Sequence, residues 1–202
     1  IQITPPNEAG FCSLGVAVDV TRQAIEKASF VVGEINPKTP QTFGDTFIAL
    51  DDFDMVIEST EDPIYFPRWP VDDVLDRVAA NVASVIPDGR CLAFNPAPIF
   101  EALGPHLKRK RDLGIHAPIF TDALMEVVQS GAVTNRRKEV FRGKSLTAYA
   151  VGTPELMKWL NRNPLIEFQG MDKVVNPVQI GSNPRFVAVL PARKGDLYGV
   201  VA

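Results

Sequence analysis

The chain has 202 residues, of which 46% are hydrophobic, and a formal net charge of −3. It is long enough to bury an apolar core in one large domain or two small ones, and its mild acidic excess argues against a general binder of nucleic acid or of anionic membranes. Cys12 and Cys91 form no C-x-x-C pair and there are only two histidines, so no metal site is expected. This cysteine usage favours two buried thiols in the reducing cytoplasm.

The ends of the chain carry little targeting information. No apolar run reaches membrane-spanning length, and residues 1–10 lack the basic and apolar regions of a signal peptide. The sequence begins directly on a β-rich run without an initiator methionine. We therefore expect a piece of a longer polypeptide, whose other parts would be its partners.

Residues 1–60 show strand patterns alternating with one helix. The predicted strands are residues 1–4 and the runs FVVGEIN, TFIAL and MVIES. A helix is predicted over 21–29 with Thr21 as its N-cap. The residues expected on its inward face are Ala24, Ile25 and Ala28.

Residues 61–70, EDPIYFPRWP, contain three prolines and are predicted to be a linker without helix or strand. A helix is predicted over 71–86, with aspartates in its first turn. The apolar residues at helical spacing, expected to face the core, are Val71, Val74, Leu75, Val78, Val82, Val85 and Ile86.

Two strand, turn and helix units follow. In the first, the strand CLAF leads through the turn NPAP into the helix IFEAL, which Gly104 and Pro105 are expected to end. In the second, a short strand near 113–115 leads through His116, Ala117 and Pro118 into a helix. The helix would be capped by Thr121 or Asp122, would bury Leu124, Val127 and Val128, and would stop at Gly131.

The last part of the chain adds two strands and a helix. SLTAYAV and RFVAVLPA are predicted strands, and a helix beginning at Thr153 and Pro154 should bury Leu156, Met157 and Leu160. Strands that alternate with helices indicate an α/β protein with a largely parallel sheet. A turn between such a strand and helix is where open α/β sheets place their chemistry, so His116 is either a working residue or a hydrogen-bonded structural one.

Several chemical motifs are excluded by the sequence. The run GKS at 143–145 lacks the first glycine of a phosphate-binding P-loop, because that position is Lys138. There is neither a G-x-G-x-x-G dinucleotide fingerprint nor a G-x-S-x-G serine-hydrolase elbow. The basic runs 108–111 and 136–138 could meet a phosphate, but such runs are more typical of solvated faces.

The order of five segments resembles the acetyl-CoA hydrolase and CoA-transferase family, which includes the 4-hydroxybutyrate CoA-transferases. The segments are PPNEAGFCSLGVAVDVT, INPKTPQTFGDTFI, LGIHAPIFTDALMEVVQSGAVTN, NPLIEF and DLYG. The resemblance spans nearly the whole chain and implies the middle portion of a full-length member. It implies a two-lobed α/β fold of the NagB/RpiA/CoA transferase type. Residues 1–60 would end the first lobe, 61–70 would link the lobes, and 71–202 would start the acyl-CoA-binding lobe.

The resemblance also implies a reaction and a site. In the family, a glutamate carboxylate attacks the acyl-CoA carbonyl and forms an anhydride, then a glutamyl-CoA thioester that a second carboxylate or water resolves. That glutamate belongs to a G-I-H-x-E turn, and Pro118 occupies its position here, with His116 and Pro118 in the substrate pocket. A glycine-containing CoA-binding loop of the family aligns with Asn95, Pro96, Ala97, Pro98 and Ile99. The prolines remove backbone donors from this loop.

These departures leave three alternatives. The chain could catalyse CoA transfer or acyl-CoA hydrolysis with a displaced carboxylate, for which Asp122 and Glu101 are the nearest candidates. It could bind acyl-CoA without turnover as a regulatory module, or it could be an interaction lobe that binds no CoA. Whether it is an enzyme is therefore open, as is homo-oligomerisation. The expected ligands are coenzyme A or acyl-CoA and a small carboxylate, with no covalently bound cofactor.

Overall fold

The structure, a computed structural model, describes residues 1–183, 185–192 and 194–200. The strands of these residues, numbered in chain order, are β1 (Gln2–Ile3), β2 (Phe11–Ser13), β3 (Val32–Ile35), β4 (Phe43–Gly44), β5 (Phe47–Ala49), β6 (Met55–Glu58), β7 (Cys91–Ala93), β8 (Gly114–Ile115), β9 (Ile119–Phe120), β10 (Ser145–Thr147), β11 (Tyr149–Ala150), β12 (Ile166–Phe168) and β13 (Phe186–Ala188). The helices are α1 (Thr21–Lys27), α2 (Asp73–Ser84), α3 (Pro98–Leu107), α4 (Asp122–Gln129), α5 (Pro154–Leu160), α6 (Met171–Val174) and α7 (Pro177–Gly181). A 3₁₀ turn covers Leu50–Asp52.

The strands form several small sheets instead of one large one. Their orders are β1-β3-β6, β2-β5, β10-β12-β4, β9-β11 and β13-β7-β8. Apart from the antiparallel pair β2 and β5, every pairing of named strands in the described ranges is parallel. The predicted mixed, largely parallel α/β class is therefore confirmed.

The segment 61–70 contains neither helix nor strand, as its prolines predict. Residues on its two sides nevertheless meet, because β4 pairs with β12 through Phe43 opposite Glu167 and Gly44 opposite Phe168. A Cβ added to Gly44, whose φ is +114°, would lie 2.1 Å from the carbonyl oxygen of Phe168, so this approach requires glycine. A single apolar core cluster also draws its side chains from both sides of the segment.

Helix α1 differs from its prediction in both its cap and its burial. Thr21 is its first residue and Val20 is its N-cap, without a hydrogen bond from any capping side chain. Asp19, just before the helix, accepts hydrogen bonds through Oδ1 from the Thr21 amide (3.2 Å) and hydroxyl (3.1 Å). The predicted inward residues Ala24, Ile25 and Ala28 are not buried. They border an open surface groove, and Ile25 is half-buried against the core cluster.

Helix α2 buries a narrower face than its apolar spacing predicts. Its buried residues are Ala79 and Ala83, and Ile86 is buried just beyond its end. The predicted core residues that are exposed are Val71, Val74, Val78 and Val85. The helix packs chiefly on α3, so only the side facing α3 is covered. It begins at Asp73, two residues later than predicted, because Asp72 is its N-cap and accepts a hydrogen bond from the Leu75 amide at 2.8 Å.

Helix α3 continues through the two residues that were expected to end it. It runs to Leu107 although Pro105 can donate no hydrogen bond to the carbonyl four residues earlier. Leu103 and Leu107 are fully buried, and the backbone at Gly104 lies close to Ala123 of α4. Burial of these leucines offsets the loss at the proline.

The remaining predicted elements form with adjusted bounds. Leu124, Val127 and Val128 of α4 are buried as predicted, and so are the three residues predicted for α5. SLTAYAV was expected to be one strand, but it breaks at Ala148 into β10 and β11, which belong to different sheets. The carbonyl of Ala148 accepts hydrogen bonds from the amides of Val18 (3.2 Å) and Asp19 (3.1 Å), which explains the break.

Both cysteines are free and buried, as their usage predicts. Among the described residues, no helix is both long and apolar enough to span a membrane.

Candidate functional site

The loops that the sequence singles out leave the same edge of one sheet. Strand β7 is the central strand of β13-β7-β8, and it runs parallel to β8 with Cys91 opposite Gly114. The chain after β7 enters residues 95–99, and the chain after β8 enters the turn 116–118. The carboxyl ends of parallel strands lie at one edge, which is where open α/β sheets bind ligands. The structure thus brings the predicted CoA-binding loop and the predicted pocket residues to neighbouring positions.

The loop after β7 is partly open to solvent. Asn95 and Pro98 are exposed, while Pro96, Ala97 and Ile99 are half-buried. Ala97 is the N-cap of α3 with an extended backbone (φ −166°), and Pro98 is the first helical residue. Neither Asn95 nor Ala97 has a positive φ, so this path does not need the glycines that the family resemblance places there.

His116 is a buried residue whose ring nitrogens are both engaged by protein groups. Nε2 lies 2.7 Å from the carbonyl oxygen of Val174, and Nδ1 lies 3.3 Å from the amide nitrogen of the Asn183 side chain. The carbonyl can only accept and the amide NH₂ can only donate, so the ring is the neutral tautomer with its proton on Nε2. Burial lowers the pKa of His116, and the charge of Lys138 acts in the same direction.

Pro118 stands half-buried at the end of the turn. Its carbonyl oxygen accepts hydrogen bonds from the Thr147 hydroxyl (3.2 Å) and from the amides of Ala148 (3.1 Å) and Tyr149 (3.2 Å). The backbone at this position is therefore tied to β10 and β11. The pyrrolidine ring carries no ionisable group, so the residue can neither attack a thioester nor transfer a proton.

Two residues that sequence reasoning missed hold the strand that leads into this turn. The buried ammonium of Lys138 donates to the carbonyls of Ile115 (2.8 Å) and Lys144 (2.7 Å). Asn135 accepts from the Ile115 amide at 2.9 Å, so both backbone groups of Ile115 are bonded to side chains. Burial lowers the pKa of Lys138 to about 8. Gly114 makes room for this lysine, since an added Cβ would lie 2.9 Å from its Cγ.

The two carboxylates proposed as displaced nucleophiles are both bonded to other groups. Oε2 of Glu101, which is 5% exposed, accepts from Nε (2.8 Å) and pairs with Nη2 (2.7 Å) of Arg68. Asp122 is 4% exposed and accepts from both the amide and the hydroxyl of Thr153, at the start of α5. Gly152 allows this contact, because an added Cβ would lie 2.1 Å from the Asp122 carboxylate. Neither carboxylate is free to attack a thioester in this arrangement.

Arg68 also pairs with Glu126 of α4, whose other oxygen accepts from Lys108 at 2.7 Å. Burial opposes ionisation of Glu126, but the hydrogen bonds from Lys108 and Arg68 prevail and lower its pKa. The ion pairs fasten the segment 61–70 to α3 and α4.

The described residues offer no evident metal-binding site. Among the residues that the structure describes, no three His, Cys, Asp or Glu side chains come together as a metal site. In the former P-loop candidate, Lys144 pairs with Glu167 at 2.6 Å and Ser145 is buried in β10.

Sequence comparison matches two family models to the chain. The acetyl-CoA hydrolase/transferase N-terminal domain covers residues 1–66, and the C-terminal domain of the same family covers 152–202. The 4-hydroxybutyrate coenzyme A transferase of Clostridium kluyveri is 35% identical over 100% of this chain and 47% of that protein. The succinyl-CoA:cyclohexane-1-carboxylate CoA transferase of Geobacter metallireducens is 32% identical over 98% of this chain and 45% of that protein. The chain spans about half the length of the curated relatives it matches.

Solved structures agree with the sequence matches. RipA from Yersinia pestis superposes with a TM-score of 0.94 at 28% identity, covering 99% of this chain and 47% of RipA. The 4-hydroxybutyrate CoA-transferase of Porphyromonas gingivalis gives 0.93 at 34% identity, covering 99% of this chain and 51% of that protein. The two domain models together match more than half of the chain, and the two transferases match 100% and 98% of it. The chain therefore belongs to the acetyl-CoA hydrolase/transferase family.

Proposed function

We propose that this chain handles acyl-CoA at the carboxyl edge of the β13-β7-β8 sheet and does not form the glutamyl intermediates that the family resemblance implies. The family reaction is CoA transfer between an acyl-CoA and a carboxylate, or acyl-CoA hydrolysis. An acyl-CoA and a small carboxylate are accordingly the ligands of this proposal. A cytoplasmic location is part of it, supported by the two free thiols.

Pro118 carries the proposal. A covalent anhydride or thioester needs a carboxylate at the turn, and the side chain there is a saturated ring. The carbonyl of Pro118 is tied to β10 and β11, which leaves the segment little freedom to bring another group to that place.

The displaced-carboxylate alternative has less support. Glu101 and Asp122 are both buried and bonded to Arg68 and Thr153, so either would have to break charge-assisted hydrogen bonds before attacking a thioester. An acyl-CoA-binding module without turnover needs no such rearrangement. We therefore favour the binding module over the displaced nucleophile.

The loop at Asn95 supports the ligand part of the proposal. It is exposed beside the turn, at the edge where α/β sheets bind ligands, and it aligns with the CoA-binding loop of the family. A negative charge introduced there should repel the phosphates of CoA.

Titration calorimetry of the purified protein with CoA tests this assignment. We expect saturable binding that Asn95→Asp weakens about fivefold, as one added charge at contact range requires. The matched control is Asn81→Asp, which makes the same charge change on the exposed face of α2 and should leave binding unchanged. The absence of any heat of binding would favour an interaction lobe that binds no CoA.

A further inference from the structure

An open surface pocket lies at the opposite end of the sheet from the predicted CoA loop. It has a volume of about 350 Å³ and is lined by Arg136, Arg137, Glu139, Arg142 and Arg185. We call it the arginine cavity. Arg185 immediately precedes β13, and the side chain of Arg137 packs on Gly89, just before β7, so the cavity lies at the amino ends of these strands.

The arginine cavity carries a concentrated positive charge. Four arginines and one glutamate, Glu139, line it, in a chain whose formal net charge is −3. Of the four, Arg137 pairs with Asp112 at 3.2 Å. Within residues 1–183, 185–192 and 194–200, no carboxylate lies at ion-pair distance from the other three.

The backbone that presents the arginines is fixed by internal hydrogen bonds. The Gly143 amide donates to the carbonyl of Asn135 at 3.1 Å, which closes the loop that carries three of them. Arg142 donates from Nε to the backbone carbonyl of Arg136 at 2.7 Å, so these two residues are held together. The Glu139 amide donates to the side-chain oxygen of Asn183 at 3.2 Å, which joins the loop to the residues that follow α7.

We propose that the arginine cavity is a binding site for a small diphosphate-containing anion, separate from the acyl-CoA site. Guanidinium forks match phosphate oxygens bidentately, and several converging forks suit a group with two linked phosphates. These arginines converge on one open surface pocket of an acidic chain, so a small ligand fits it better than a polymer, which would need an extended basic track.

Titration calorimetry with inorganic pyrophosphate tests the site, using the purified protein. We expect binding that weakens as salt is raised, and a loss of at least about tenfold in the double variant Arg142→Glu/Arg185→Glu. The matched control Lys27→Glu/Arg77→Glu makes the same charge change on exposed faces of α1 and α2 and should alter affinity less than about twofold. An equal loss in both double variants, or no pyrophosphate binding by the wild type, overturns the proposal.

Two further experiments test which diphosphate compounds bind and whether the arginine cavity is separate from the acyl-CoA site. ADP should compete with pyrophosphate, and adenosine should not. The Arg142→Glu/Arg185→Glu variant should still bind CoA, whereas Asn95→Asp should still bind pyrophosphate. If the arginine variant loses CoA and pyrophosphate alike, the arginines belong to the CoA site and the separate site is refuted.

Tighter binding of a single-stranded oligonucleotide than of pyrophosphate, lost in the same variant, would refute the small-anion assignment.

Discussion

Three residues at the end of β8 and in the turn that follows are each held by different hydrogen bonds. Ile115 is held through both its backbone groups, by Asn135 and by the buried ammonium of Lys138. His116 is held through its ring, and Pro118 through its carbonyl. The turn is thus rigid without containing a carboxylate. Its rigidity suits a surface that positions a ligand, and its composition does not suit covalent catalysis.

The neutral state of His116 predicts a specific pH dependence of stability. Because burial lowers the pKa of His116 in the folded protein, the unfolded chain takes up a proton first on acidification. The free energy of unfolding should therefore fall as the pH drops below about 6.5, the ordinary pKa of histidine. Chemical denaturation at several pH values should show that His116→Gln loses less stability between neutral and mildly acidic pH than the wild type does.

The other histidine provides the control for this experiment. His106 lies 2.9 Å from Asp76 and is only partly buried. His106→Gln should keep the acid-induced loss of stability that His116→Gln reduces. A wild-type slope retained in His116→Gln would show that His116 is not the residue responsible.

At the scale of single elements, α3 contains a proline in its interior. Pro105 is exposed, so Pro105→Ala opens no cavity, and it restores a backbone donor for the carbonyl of Glu101. An interior proline costs about 3 kcal/mol, and part of that is offset by its restriction of the unfolded chain. We expect Pro105→Ala to raise the free energy of unfolding by about 1 to 2 kcal/mol, measured by urea denaturation.

Pro98 is the matched control, since it is an exposed proline at the first position of the same helix. Proline is favourable there because the missing N–H would have no intrahelical partner. Pro98→Ala should therefore give no gain. Equal gains in the two variants would mean that the unfolded chain, and not the helix interior, determines the effect.

The elements also show how far sequence reasoning reaches. The start of α5 at Thr153 and its buried Leu156, Met157 and Leu160 were predictable, because capping and apolar spacing are local properties. The exposed Val74 and Val78 of α2 were not predictable, since spacing indicates an apolar face but not which element covers it.

Among the site residues, too, some features can be predicted from the sequence and others depend on the fold. The proline at position 118 is visible in the sequence, whereas the role of Lys138 is not. Lys138 follows two exposed arginines, and such a basic run predicts a solvated face, yet Lys138 is only 2% exposed. Lys138 is buried because β8, which is distant in sequence, lies next to it in the fold. Gly114 is the one feature of the sequence that relates to the contact between β8 and Lys138, because a larger residue there would meet the lysine side chain. This meaning of Gly114 can be recognised only once the fold is known.

At the scale of the whole molecule, the segment 61–70 is secured to the body of the protein by Arg68. Glu101 would be left buried without a cation if that side chain were removed. We expect Arg68→Met to lower the free energy of unfolding by about 2 kcal/mol, the typical cost of unpairing a charged hydrogen-bonding group. Urea denaturation measures it.

The comparison is with a second ion pair of the same segment. Lys38 meets Asp62 at 2.8 Å, but both side chains are largely exposed. Lys38→Met should leave the free energy of unfolding essentially unchanged, because solvent screens an exposed ion pair. Similar small effects of both variants would show that Arg68 does not fasten the segment.

The molecule presents different chemistry at the two ends of the β13-β7-β8 sheet. The carboxyl edge carries the loop at Asn95 and the proline turn, and the amino edge carries the arginine cavity. The acyl-CoA proposal concerns the first edge, and its central claim is that the turn there forms no covalent intermediate.

The most direct test of that claim is a trapping measurement. The purified wild-type protein is incubated with acetyl-CoA, treated with borohydride or hydroxylamine, and analysed by peptide mass spectrometry for modified acidic side chains. Pro118→Glu is the positive comparator and should become modified at position 118, because it restores the carboxylate at the turn. We expect no modified glutamate or aspartate in the wild type, and an adduct on any of its acidic side chains would show that the protein forms a covalent intermediate.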